Sequence, residues 1–228
     1  MTGFGPARFA LLALALVFSL GATSNWNTVV TANNGGHQIG NPAAKVKLTE
    51  YVSYTCPHCA AFTKESEGAI QLAYIQPGKV NVEIRNLIRD PIDLTVAMLA
   101  DCPPLSRFPQ NHSAFLAHQD SWIGPLTTAS DAQQERWRQP TLAGRRAIAN
   151  DFKLYDIMEQ RGYSRVEADR CLANDALMKQ IVATSDSDWK KPGIEGTPAF
   201  AIDGVIMPGT HSWQGLQPQL QEFVKKAS

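Results

Sequence analysis

The sequence predicts an α/β layered fold, and three observations carry that prediction. Two segments of period-two alternation flank a helical segment, which is how a layered βαβ arrangement begins. A long region of short helices broken by prolines follows. A two-residue turn signal then returns the chain to strand, with an amphipathic helix behind it.

Each element can be justified in order. In the first strand Val46, Leu48, Val52 and Tyr54 share one face, and Lys45, Lys47, Thr49 and Ser53 the other. Glu50 falls on the apolar face. Pro57 stands where a helix begins, because its missing N–H is one of the groups left unbonded there anyway. The helix carries Phe62, Ile70, Leu72 and Ile75 and stops at Pro77-Gly78. Val80, Val82 and Ile84 alternate into a second strand reaching about Ile88. From about Pro91 to Lys191, short helices are broken at Pro103-Pro104, Pro109, Pro125, Pro140 and Gly162. Strand character returns at Pro198 with Phe200 and Ile202. Asp203-Gly204 marks a hairpin, and Val205 and Met207 continue the returning strand. Ser212 caps a last helix with Trp213, Leu216, Leu220, Phe223 and Val224 on its apolar side, and Lys225 and Lys226 suit the negative end of its dipole.

The chain has 228 residues, with 21 Lys+Arg against 21 Asp+Glu. That length suits one domain with a large insertion. Balanced charge excludes a nucleic-acid sheath, which needs a basic field to displace counterions. Arg8, the apolar stretch from Phe9 to Leu20 and the small residues Gly21, Ala22 and Ser24 read as a secretory signal over residues 1–24, cleaved before Asn25. A membrane-spanning helix wants about 20 apolar residues, more than this stretch offers. Export places the four cysteines where disulfides persist. Residues 25–41, rich in Asn, Thr and Gly, read as a flexible N-terminal arm before a domain at 42–228.

The sharpest chemical feature is Cys56-Pro57-His58-Cys59 at the junction of strand and helix. Unpaired N–H groups and the positive end of the helix dipole converge on the first sulfur, so Cys56 is expected to ionise well below the free value of about 8.5. His58 adds a donor beside the same sulfur. A structural zinc site lacks a second close ligand pair, and haem attachment would need His at position 60, which is Ala. Neither a metal nor a cofactor is expected beyond the redox-active Cys56–Cys59 disulfide. Glu50, six residues before Cys56, is costly on a buried face unless it is paired or protonated. It either accepts the proton of Cys59 or sits in an ion pair with a lysine or arginine.

The Glu50-to-Cys59 junction, the Gly193-Ile194-Glu195-Gly196-Thr197-Pro198-Ala199-Phe200 run and the long helical stretch between them resemble the DsbA-like branch of the thioredoxin superfamily. The resemblance covers nearly all of the chain from about Pro42. It implies a thioredoxin fold with a large helical insertion, about 91–191, between the βαβ half and the cis-proline ββα half. It also implies that Cys56 is the attacking sulfur and Cys59 the resolving one. Pro198 would be the cis-proline facing them, with Thr197 offering its backbone to an extended substrate. The implied activity is a periplasmic protein-disulfide oxidoreductase that donates its disulfide to reduced, folding exported proteins. A DsbB-like membrane quinone reductase would reoxidise it.

Two features depart from the simplest family pattern. Thr197 stands where DsbA-type oxidases often carry Val and is common in isomerase-like relatives and in other DsbA-like branches, so a disulfide isomerase or reductase of the same fold is the rival. Periplasmic isomerases carry a separate dimerisation domain, which the short segment 25–41 cannot build; a monomer is expected. Cys102 and Cys171 are extra, and in an exported protein an even leftover pair is expected to form a structural disulfide, the rival being two free thiols or a second redox couple. A non-catalytic chaperone binding extended peptides near Pro198 is the alternative from another class. His112, His118 and the tryptophans at 122, 137, 189 and 213 read as ordinary core or surface residues, and Arg145-Arg146 and Lys190-Lys191 as solvated faces.

Overall fold

The computed structural model describes Met1, residues 25–33 and residues 35–227; the signal segment expected at 1–24 lies, Met1 aside, outside the described residues. In chain order the elements are β1 (Val30–Asn33), β2 (Gly36–Ile39), β3 (Val46–Val52), α1 (Pro57–Ile70), β4 (Val80–Asn86), α2 (Pro91–Ala100), α3 (Phe108–Ala117), α4 (Gln119–Trp122), α5 (Pro125–Thr128), α6 (Asp131–Arg138), α7 (Leu142–Asp151), α8 (Leu154–Gln160), α9 (Arg165–Leu172), α10 (Asp175–Asp188), β5 (Ala199–Ile202), β6 (Val205–Ile206) and α11 (Trp213–Ala227). The strands form one sheet in the order β1-β2-β4-β3-β5-β6. Only β3 and β4 run parallel among these pairs, joined by α1 as the crossover such a pair needs. The late hairpin turns at Asp203 and Gly204, both at positive φ, which is what a tight two-residue turn demands. Between the βαβ half and this ββα half lie α2 to α10, which is the helical insertion.

Both faces of β3 are covered. Val46, Leu48, Glu50 and Val52 are buried as alternation predicts, but Thr49, Tyr51 and Ser53 are buried as well. The cover over Tyr51 comes from the chain after α10. Ile194 packs with Tyr51 in a small second core, and Lys191 Nζ donates to the Tyr51 hydroxyl over 3.1 Å. Beside them Arg85 is held between Glu83 and Asp188, at 3.0 and 2.6 Å.

The flexible arm expected at 25–41 is instead part of the sheet. β1 and β2 form a hairpin, and β2 pairs with β4 through registers such as His37 with Ile84. Its inward residues are Ile39, which joins the main core, and His37, whose ring stacks on Phe108 at 3.6 Å and meets Asp101 at 2.8 Å. An imidazole as the buried anchor hides the periodicity that an aliphatic residue would have shown. At Gly35, φ is +82°, and a Cβ there would collide with the Thr184 side chain. The folded unit therefore begins before Pro42.

The insertion has its own aromatic core. Trp122 and Trp137 pack on Phe152, at ring separations of 6.3 and 4.8 Å, and both are buried. Arg145 departs from the solvated face expected of it. It is buried, and its guanidinium donates to the Leu172 carbonyl and to Asp175, each at 2.7 Å. Cys102 and Cys171 are joined by a disulfide with Cα atoms 5.5 Å apart, linking the end of α2 to α9 across 69 positions. The Tyr163 hydroxyl donates to the Cys102 carbonyl at 3.0 Å and ties this bridge to the loop before α9.

A cross-link over that span removes loop-closure entropy from the unfolded chain, so replacing both cysteines with alanine is expected to lower stability by roughly 4 kcal/mol. Equilibrium urea unfolding of the double variant against the parent, with Cys56 and Cys59 kept reduced in both, measures it.

Candidate active site

Cys56 is the N-cap of α1, with extended backbone at φ −88° and ψ 118°, and Pro57 follows at the first helical position. A helix start leaves several N–H groups without intrahelical partners. Those of His58 and Cys59 turn to the Cys56 sulfur. The Cys59 side chain lies one turn further on and is fully buried, while Pro57 and His58 are exposed at the rim. The two thiols are not bonded to each other in this structure.

The opposite wall is the Thr197–Pro198 peptide, which is cis. The Cys56 sulfur lies 3.1 Å from the Thr197 carbonyl oxygen. Thr197 therefore acts on this sulfur in two opposed ways. Its carbonyl can only accept and so favours the thiol, whereas its side chain hydrogen-bonds the thiolate. The thiolate wins. Cys56 is lowered to about 5, chiefly by the hydrogen bond from Cys59, against the cost of burial, with Thr197 and the two backbone N–H groups adding to it. The reciprocal effect holds the Cys59 thiol well above its ordinary value, through burial first and then its bond to Cys56 and the nearby charge of Glu50. The Pro198 carbonyl takes a 2.7 Å hydrogen bond from His211 Nδ1, which must carry the proton because a carbonyl cannot donate.

Glu50 sits in mid-sheet, opposite Ile84 on β4 and Phe200 on β5. It forms no ion pair among the described residues, so the lysine or arginine partner weighed from the sequence is not what holds it. One oxygen, Oε1, is buried without a hydrogen-bond partner among those residues. Burial, with a contribution from Glu67, pushes its carboxyl up to about 8. At neutral pH it therefore holds a proton, close enough to Cys59 for its charge to be felt there.

The segment entering α1 is fastened by residues that sequence reasoning missed. Asp93 accepts from the Ser53 hydroxyl at 2.6 Å and the Tyr54 N–H at 2.7 Å, and Asp90 accepts from the Thr55 hydroxyl at 2.7 Å. Asp90 also caps α2 through the Asp93 N–H. Burial raises Asp93 to about 7. Gln119, on α4, donates to the carbonyls of Tyr54 and Cys56 at 2.6 and 3.0 Å. The Tyr54 hydroxyl meets His112 Nδ1 at 2.9 Å, and burial drives that imidazole down to about 3, so it is neutral. The Asp90-Pro91 pair carried a readable cap signal, but nothing local in sequence points Gln119 or His211 at the site. The Cys102–Cys171 bridge lies in the insertion. Among the described residues no cluster of three or more His, Cys, Asp or Glu could hold a metal ion.

Comparison with known proteins places this geometry among relatives. A family model described as thioredoxin matches residues 32–222. A Rickettsia typhi protein, provisionally named a protein-disulfide oxidoreductase, is 30% identical over 176 residues, which are 76% of this chain and 56% of that protein. The chain thus spans about half the length of the curated relatives it matches. A solved protein-disulfide isomerase from Novosphingobium aromaticivorans is 48% identical with a TM-score of 0.80, covering 84% of this chain and 98% of that one. Wolbachia pipientis α-DsbA1 superposes with a TM-score of 0.68 at 21% identity, covering 90% of this chain and 98% of its own. At that identity the likeness is one of fold.

In the reduced protein, ultraviolet thiolate absorbance is expected to appear with a midpoint near pH 5. Cys59→Ala removes the largest stabilising contact and moves that midpoint up by about one unit or more. Glu50 has the opposite linkage. Its folded value, about 8, lies above the ordinary 4.5, so it costs nothing below pH 4.5 and weighs increasingly against folding as pH rises towards 8. Glu50→Gln is accordingly expected to stabilise the protein at pH 7 by about 3 kcal/mol while leaving it nearly unchanged at pH 4, as read by urea unfolding at the two pH values.

Proposed function

This chain belongs to the thioredoxin family, and from that premise we propose that it is a periplasmic protein-disulfide oxidoreductase donating its Cys56–Cys59 disulfide to reduced, folding exported proteins. The observation that carries this reading is the Cys56 sulfur at the first turn of α1, facing the cis Thr197–Pro198 peptide at 3.1 Å from the Thr197 carbonyl, with its thiol lowered to about 5. At pH 7 its thiolate is favoured by about 3 kcal/mol over the thiol. That preference stabilises the reduced pair and makes its disulfide more oxidising by ~60 mV than one with an ordinary cysteine.

The proposed reaction runs in two exchanges. A substrate strand lies against the Thr197 backbone beside Pro198, where main-chain bonds hold an extended segment whatever its side chains. Its thiolate attacks Cys56, the Cys56–Cys59 bond breaks, and the electron pair leaves on Cys59. Glu50, holding a proton at neutral pH, supplies it to that sulfur. A second substrate thiolate attacks the mixed disulfide, the substrate disulfide closes, and Cys56 leaves as a stabilised thiolate. Two electrons have moved from substrate to enzyme, with the active-site disulfide itself as the only redox group. A DsbB-like membrane partner that passes them to quinone regenerates the pair. Exposed His58 and Pro57 stand where either partner would first touch.

A second reading is a disulfide isomerase, kept reduced. It is favoured by the 48% identity to a protein described as a protein-disulfide isomerase and by Thr197 in place of the valine usual in oxidases. The two readings part on redox state. The oxidase reading expects trapping of periplasmic protein from growing cells to find Cys56 and Cys59 mostly bonded. It also expects Cys56→Ala to abolish oxidation of a reduced model substrate and Cys59→Ala to accumulate substrate adducts. A mostly reduced pair in cells transfers the assignment to the isomerase. Full cellular function in Cys56→Ala leaves only a peptide-binding chaperone.

A further inference from the structure

The chain leaves β4 through residues 88–90, and beside this loop, among α2, α6, α7 and α10, lies a cavity of about 300 Å³. Ligand pockets span about 300–1,000 Å³, so this one is small but sufficient for a side chain or two. Its walls are largely apolar, with Trp137 and Ile148 buried and Leu94 and Met178 half-buried. Its charged lining consists of three arginines, Arg89, Arg138 and Arg145, and one acid, Asp90. Asp90 is already engaged, since both of its oxygens accept, from the Thr55 hydroxyl and the Asp93 N–H.

The arginines keep donors to spare. Arg89 is exposed and forms no ion pair among the described residues. Arg138 shares a 3.3 Å pair with Glu135, both largely in solvent, and such a pair holds weakly. Arg145 is the sharpest case, because it is buried. Its Nε and Nη2 are matched by the Leu172 carbonyl and Asp175, yet Nη1 donates to the Met178 sulfur at 2.9 Å. A thioether is a weak acceptor, so a buried cationic donor is left poorly matched at the cavity wall. The methionine side chain is flexible enough to turn aside for a better acceptor. A carboxylate is that acceptor.

The sheet order fixes where the cavity stands relative to the cysteines. The ends of β4 and β3 and the start of β5 lie side by side, so residues 88–90 and the Thr197–Pro198 peptide flank the Cys56 turn on opposite sides. Thr55, next to Cys56, is bonded to Asp90 of the cavity at 2.7 Å. Neighbouring strands lie about 4.8 Å apart and an extended chain rises about 3.3 Å per residue. A client strand held at Thr197 with its cysteine over Cys56 therefore reaches the cavity roughly three to five residues further along.

We propose that this cavity is a second client-binding pocket, which takes an acidic residue adjoining an apolar one a few residues from the client cysteine. The carboxylate replaces the Met178 sulfur on Arg145, Arg89 and Arg138 close over it, and the apolar side chain packs on Trp137 and Leu94. The pocket rests on the oxidoreductase reading, because exchange at Cys56 is what brings a client chain across it.

The test uses the oxidised protein and reduced single-cysteine peptides carrying Glu-Leu, Gln-Leu or Glu-Ser four residues before or after the cysteine. Peptide oxidation is followed by chromatography. In one of the two placements Glu-Leu is expected to react roughly five-fold faster than the other two, with the advantage shrinking as salt is raised. Arg89→Gln/Arg138→Gln removes the advantage, and so does Met178→Glu, which sets a carboxylate on Arg145 from within. Arg146→Gln/Arg170→Gln, the same loss of charge at arginines that do not line the cavity, retains it. Equal rates for all three peptides in both placements overturn the proposal, as does an advantage that survives both cavity variants or is lost equally in Arg146→Gln/Arg170→Gln. Binding of the same peptides, with serine replacing their cysteine, to Cys56→Ala/Cys59→Ala separates the two readings. If Glu-Leu binds preferentially there while the parent oxidises no peptide, the pocket stands and the oxidoreductase reading fails. If oxidation proceeds and neither rate nor binding shows a preference, only the pocket fails.

Discussion

Everything in this site depends on how one negative charge is shared between two sulfurs a helical turn apart. The first turn of α1 offers N–H groups that no backbone acceptor takes, and the Cys56 sulfur sits where they point. The Cys59 thiol then donates its hydrogen to the same sulfur. That single bond works in both directions, since it lowers Cys56 as a donor to the anion and raises Cys59 by keeping its proton occupied. A second anion on Cys59 would sit buried beside the first, which low dielectric makes prohibitive. The pair therefore has a fixed order of ionisation, with the outer sulfur losing its proton first and the inner one keeping its own.

Holding this arrangement is the task of the parts that look ornamental in sequence. The turn at 53–56 is neither strand nor helix, so its polar groups need outside partners. Asp90 and Asp93 come from the start of α2 and Gln119 from α4, which means the helical insertion fastens the entrance to the catalytic helix from one side. From the other side, cis-Pro198 and Thr197 are set by β5, the neighbour of β3, with His211 bonded to the Pro198 carbonyl. Asp93 is a notable cost. A carboxyl buried that deeply is disfavoured as an anion, and it is retained because it satisfies donors on Ser53, Tyr54 and Arg89 together.

The sequence made the frame legible wherever the physical signal was local. Alternation in 46–52, the proline at the start of α1, Asp203-Gly204 and the period of α11 each report on neighbouring residues and lie where the sequence predicted them, though the strand expected to run on to Tyr54 ends at Val52. Glu50 was legible for the same reason, as one charged residue in an apolar series. What was not legible came from distant parts of the chain. The β1–β2 hairpin is anchored by His37 on Phe108 and Asp101, partners some 64 to 71 positions away, so its composition alone resembled a loop. The burial of Tyr51 likewise depends on residues after α10, and that of Arg145 on carbonyl and carboxylate partners in other helices.

Seen from Glu50, the two cysteines and the surrounding acids form one proton inventory. Ionising Cys56 is cheap, while ionising Cys59 or Glu50 is expensive, so near neutral pH the reduced site holds one negative charge and two protons. A buried acid pushed to about 8 is poorly placed to stabilise the fold and well placed to exchange a proton close to physiological pH. Its cost to stability and its raised carboxyl have one cause, which is burial in the low dielectric under α1. Making that region more polar would relieve Glu50 and would also release the constraint that keeps Cys59 protonated until its turn. The apolar sheet beneath the active site is thus what separates the roles of two otherwise identical side chains.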